Sequence, residues 1–93
     1  MVVYVLYSAL LDSYYVGQSQ DISTRLAWHI DKVFVRNFTK RAADWVLFLL
    51  IECKSRKQAV DIELHIKRMK SRKYLENLKR YPEIIERLKT EYQ

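Results

Sequence analysis

The chain predicts a small α/β (α+β) domain, a sheet covered by helices in the order β-β-α-β-α-α. Three observations predict it. Runs of β-branched and aromatic residues stand at positions 2–7 and 45–52, apolar residues recur at helical spacing after residues 21 and 55, and 93 residues leave room for one domain, 1–93.

VVYVLY at residues 2–7 reads as a strand, and residues 14–16 (YYV), ending at Gly17, read as a second. So short a connection makes the pair an antiparallel hairpin. If the turn is centred on Ala9 and Leu10, Tyr4 lies opposite Tyr15. Gly17 is the only glycine, so its position needs either a close backbone approach or a positive φ. Asp21 suits an N-cap, and Ile22, Leu26 and Ile30 form one stripe of a helix over residues 22–31. Residues 33–44 lack a period and read as loop. WVLFLLIE at 45–52 reads as a strand buried on both faces, at the centre of the sheet. Ser55 and Gln58 make a capping box, followed by a buried stripe of Ala59, Ile62, Ile66 and Met69 ending near Lys70. A shorter helix over 73–80 follows, and Pro82 opens a last one with Ile85, Leu88 and Tyr92 on one side.

Composition removes several function classes. One cysteine excludes a disulfide framework and a four-cysteine zinc module. One glycine excludes the Gly-rich phosphate loops. The longest apolar run is far below the ~20 residues of a membrane span. With only Met1 ahead of the first strand, no signal peptide is expected, and the reading is a cytoplasmic domain. The net charge is +6, all of it in the second half: residues 1–53 carry five basic and five acidic side chains, residues 54–93 twelve and six. Lys67, Arg68, Lys70, Arg72 and Lys73 are the densest part. Either they meet an anionic partner, nucleic acid first and a membrane surface second, or they are a solvated helix face.

Four features can carry chemistry. Tyr4, Tyr7, Tyr14 and Tyr15 crowd one hairpin, as packing or as hydroxyls at a reaction centre. Arg25 and His29, four apart, share a helix face, as a solvated pair or as site residues. Glu63 lies beside the apolar stripe, where a carboxylate needs an ion-pair partner or a bound cation. The basic cluster continues from the same helix. His65 lies off the stripe and reads as solvated, and Cys53 reads as a small apolar residue.

These features stand in a known order. Val2-Val3-Tyr4 and Tyr15-Val16-Gly17, then YVGQSQDISTRLAWH with Arg25 and His29, TKRAADWVLF before the third strand, the helix AVDIELHIK with Glu63, and KRMKSRKYLENL together resemble the GIY-YIG endonuclease family over residues 2–79. The likeness is to its small stand-alone members, which are similar to the amino-terminal nuclease domain of the excinuclease C subunit. That resemblance implies a three-stranded antiparallel sheet flanked by helices and hydrolysis of DNA phosphodiester bonds with one divalent metal, Mg²⁺ or Mn²⁺. It implies that Glu63 holds the metal, that Arg25 pins the scissile phosphate, and that Tyr15, with Tyr4 beside it, orients or deprotonates the attacking water, supported by His29. A free phenol titrates near about 10, so a tyrosine base needs nearby cations. Lys67, Lys70, Arg72 and Lys73 would then contact the nucleic-acid backbone, and repair or recombination is the role the resemblance suggests.

The sequence departs from the pattern in three places. Val2 replaces the glycine of the first motif. Gln18 stands where the excinuclease branch has lysine. Leu75 stands where the family often has asparagine, with Asn77 out of register. Two other readings remain: a nucleic-acid-binding module on the same fold without turnover, and a protein-interaction domain whose basic tail binds an acidic partner.

Overall fold

A computed structural model describes residues 1–20 and 45–93. The expected helix over 22–31, the loop over 33–44, and with them Arg25 and His29, lie outside the described residues. The described elements are strands β1 (Val2–Ser8), β2 (Ser13–Ser19) and β3 (Val46–Glu52), then helices α1 (Arg56–Met69), α2 (Arg72–Arg80) and α3 (Pro82–Glu91). The three strands form one antiparallel sheet, as the resemblance implies, in the order β2-β1-β3.

The central strand is β1, not β3. The apolar run of β3 suggested burial on both faces, yet Val46 and Leu47 are 57% and 46% exposed. Strand β1 pairs on both sides instead, and Val2 to Leu6 are all buried. An apolar run reports what a strand can bury. It does not say which strand has two neighbours.

Odd residues of β1 face the helices. Val3 and Val5 pack with Ile51, Ala59, Ile62, Ile66, Leu75, Leu78 and Leu88 in the main core, while Tyr4 and Leu6 point the other way, among Tyr15, Trp45 and Leu50. Ser55 caps α1, its hydroxyl accepting from the Gln58 amide N–H at 3.1 Å. Gln58 itself is buried, donating to the Lys89 carbonyl at 2.9 Å and accepting from the Lys54 N–H at 2.8 Å, so it ties α1 to α3. Met69, assigned to the buried stripe, is 44% exposed. The buried residues of α1 are Gln58, Ala59, Ile62 and Ile66, and the helix ends one residue later at Lys70, in a left-handed conformation (φ 47°). Pro82 opens α3 as expected, and Leu88 joins the main core.

The hairpin register also differs from the expected one. Tyr4 pairs with Gly17 and Leu6 with Tyr15. The connection holds four residues, 9–12, and Asp12 takes the positive φ of 49°. This moves each partner by two positions, so every side chain keeps its face. Gly17 has no positive φ; what it needs is close approach. A Cβ there would stand 2.7 Å from Tyr4 Oη, 2.8 Å from Cζ and 3.0 Å from Tyr15 Cε1. The Tyr4 ring is buried and has little room to yield. Gly17→Ala should therefore cost about 1–3 kcal/mol, as overpacking does, with most of the loss recovered in a Tyr4→Leu background. Urea denaturation of the single and double variants measures it, and a Gly17→Ala chain as stable as the parent would show that the ring is not held.

Candidate active site

Strand β2 is at the sheet edge, and its residues alternate between the two faces. Tyr15 and Gly17 lie on the face of Tyr4, while Val16 and Gln18 face α1. Glu63 is on α1, one residue beyond the buried Ile62. Its side chain is only 13% exposed. Gln18 Nε2 donates to Glu63 Oε1 at 3.3 Å, and Lys67 Nζ stands 3.4 Å from Oε2, one helical turn on. Both contacts are long for hydrogen bonds to a charged group.

On the other face the Tyr4 and Tyr15 rings flank Gly17. Burial, then the neighbouring Tyr15 and Glu63, hold the Tyr4 hydroxyl protonated far above the ordinary tyrosine range. Burial disfavours phenolate, and each nearby negative charge disfavours it further. Tyr4 is therefore suited to donate a hydrogen bond rather than to act as a base. Tyr4 and Tyr15 thus stand on one face of the sheet and Glu63 on the helix packed against the other, with strand β2 between them. Arg25 and His29 fall outside the described residues.

A groove of about 590 Å³ opens beside this edge, between β2 and the junction of α1 and α2. Tyr15, Val16, Ile66 and Leu75 line it, with Lys67, Lys70 and Arg72 as its basic members. Arg72 is already engaged. Its guanidinium pairs with the Asp12 carboxylate at 2.9 and 3.0 Å, donates to the Asp12 carbonyl at 2.6 Å, and lies 5.6 Å from the centre of the Tyr14 ring. Tyr7 donates to the same carboxylate at 2.8 Å, so the clasp fastens the hairpin turn to α2. Lys70 and Lys73 are exposed and make no ion pair among the described residues.

Two features escaped sequence reasoning. His65 is half-buried rather than solvated: Nδ1 is 3.0 Å from the Tyr92 hydroxyl and Nε2 is 2.8 Å from that of Tyr74. Its partners arrive from α2 and from the residue capping α3, which helical periodicity cannot show. Gln18 as partner of Glu63 is the second, and the only signal for it was its place after Gly17 on a strand. Cys53 is half-buried, with burial pushing its thiol up, in keeping with a small apolar role.

Among the described residues no group of three or more His, Cys, Asp or Glu side chains gathers to hold a metal, and no helix is long and apolar enough to cross a membrane. No significant match to the chain was found among curated proteins or among solved structures. The family model for the GIY-YIG catalytic domain does match, over residues 1–77. Because that span takes in the hairpin with both tyrosines and the helix that carries Glu63, the chain belongs to the GIY-YIG family and has the catalytic domain of an endonuclease.

Proposed function

We propose that the protein is a metal-dependent endonuclease that hydrolyses phosphodiester bonds in DNA, with a role in repair or recombination, and that Tyr4, Tyr15, Arg25, His29 and Glu63 carry the reaction. What supports this is that Tyr4, Tyr15 and a nearly buried Glu63 all lie on or against strand β2, within the segment matched to a nuclease family.

The residues present fit a hard divalent cation, Mg²⁺ or Mn²⁺. Glu63 supplies a carboxylate with a cationic group already beside it, and the Gln18 side-chain oxygen nearby is buried without a hydrogen bond among the described residues. One protein carboxylate, with other positions left to water and phosphate oxygens, is an ordinary arrangement for Mg²⁺. When bound, the ion supplies Lewis-acid polarisation of the phosphate and neutralises charge on the leaving oxygen. The chain's own residues do the rest. Arg25 holds the phosphate and meets the charge that develops in the transition state. Tyr15 takes the proton of the attacking water, with His29 in support. Tyr4, kept protonated, donates its hydroxyl hydrogen and fixes that water's orientation.

The basic groups beside the groove suit a nucleic-acid backbone. Lys70 and Lys73 are exposed cations, while Lys67 and Arg72 give up part of their charge to Glu63 and Asp12. Contacts of this kind position the strand and carry no sequence information. Reversing charge at Lys70 and Lys73 should weaken binding to all sequences alike and flatten the salt dependence by about one unit per lost phosphate contact. Fluorescence anisotropy across a salt series checks this, and an unchanged slope removes the two lysines from the interface. Cleavage of labelled DNA and RNA structures with Mg²⁺, Mn²⁺ or EDTA tests the activity itself. Binding without metal-dependent cleavage would leave a nucleic-acid-binding module on the same fold.

A further inference from the structure

We propose that Gln18 is a second oxygen donor to the divalent cation, its side-chain carbonyl acting with the Glu63 carboxylate; this rests on the reading of Glu63 as the metal ligand. Gln18 lies on the face of β2 that meets α1. Its amide nitrogen donates to Glu63 Oε1 at 3.3 Å, while its own Oε1 is buried and takes no hydrogen bond among the described residues. That end of the amide has no partner whichever of its two atoms stands there, so nothing among the described residues fixes the amide in this orientation.

The two ends of a glutamine amide have nearly the same shape. A half-turn about the last side-chain torsion exchanges them, bringing the carbonyl oxygen to where the nitrogen stands, 3.3 Å from Glu63 Oε1. Two oxygens at that separation repel unless a cation lies against both. Adjacent ligand oxygens of an octahedral ion with metal–oxygen distances of roughly 2.1 Å are themselves roughly 3 Å apart. The spacing thus fits a shared cation. Without the ion, the same amide turns its N–H toward the carboxylate and holds it in place. Lys67 stands on the other carboxylate oxygen and does not compete for Oε1.

The test is titration of Mn²⁺ into the full chain without nucleic acid, following loss of the free-ion electron paramagnetic resonance signal. Gln18→Met keeps the length and removes the oxygen; it should weaken binding by roughly tenfold or more, as loss of a partner close to a metal does. Gln18→Glu adds a second carboxylate and should tighten binding. Gln18→Lys places a cation there and should weaken it. Circular dichroism of each variant checks the fold, and Gln18→Glu, the closest in shape, still tests the idea if Gln18→Met unfolds. If Glu63→Gln loses Mn²⁺ while the Gln18 variants bind like the parent, Glu63 is a ligand and Gln18 is not. If Glu63→Gln itself binds like the parent, the reading of Glu63 fails and the role of Gln18 fails with it.

Discussion

Glu63→Gln should lower the cleavage rate on the order of a thousandfold or more while leaving the fold and nucleic-acid binding largely intact. Metal-ion stabilisation of charge in a transition state is worth several kcal/mol, and about 4 kcal/mol is roughly a thousandfold in rate. Glutamine has the volume of glutamate and keeps one oxygen, but it loses the charge that makes the position attractive to a cation. The competing account is an ordinary ion pair with Lys67. Lys67 is half exposed, so breaking the pair resembles loss of a partly solvated contact, about 0–1 kcal/mol, rather than the ~3–5 kcal/mol of a fully buried pair. Single-turnover cleavage separates the two accounts, with thermal melting as the check that the fold is kept. A variant that cuts at the parent rate, whatever its melting temperature, would overturn the metal assignment.

Tyr15→Phe should cost on the order of 10²–10⁴ in rate, the usual contribution of a positioned acid or base. Phenylalanine keeps the ring that flanks Gly17 and removes only the hydroxyl. Binding should survive, since the interaction matters mainly in the transition state. Tyr4→Phe should be damaging but less so. Its hydroxyl stays protonated because folding raises its pKa, so this variant should lower the rate by the same factor across the working pH range, without reshaping the profile. Tyr14 packs edge-on against Phe48 at 5.1 Å and Tyr7 binds Asp12, so Tyr14→Phe and Tyr7→Phe should leave cleavage nearly unchanged. Full activity in both Tyr4→Phe and Tyr15→Phe would sink the tyrosine mechanism.

What could be read from the sequence followed the range of the interactions. Capping by Ser55 and the Pro82 start are local and were legible. The hairpin was legible in its faces but not its pairing, because a two-residue shift in register leaves the alternation unchanged. Which strand is central depends on pairing partners, and apolar content alone put β3 where β1 belongs. Least visible were contacts between distant segments. Gln18 and Glu63 are 45 positions apart, and His65 finds Tyr74 and Tyr92 at 9 and 27.

The bonds at His65 and Gln58 bear on how this enzyme can vary. Both residues are on α1, the helix that aims Glu63, and both are moored to the end of the chain, through Tyr92 and the Lys89 carbonyl. Those anchor points lie beyond residue 77, where the family match stops. The helix that carries Glu63 is thus braced from outside the matched segment. On the proposed role of Glu63, changes in the last helix would retune the tilt of the glutamate without altering any residue of the matched segment.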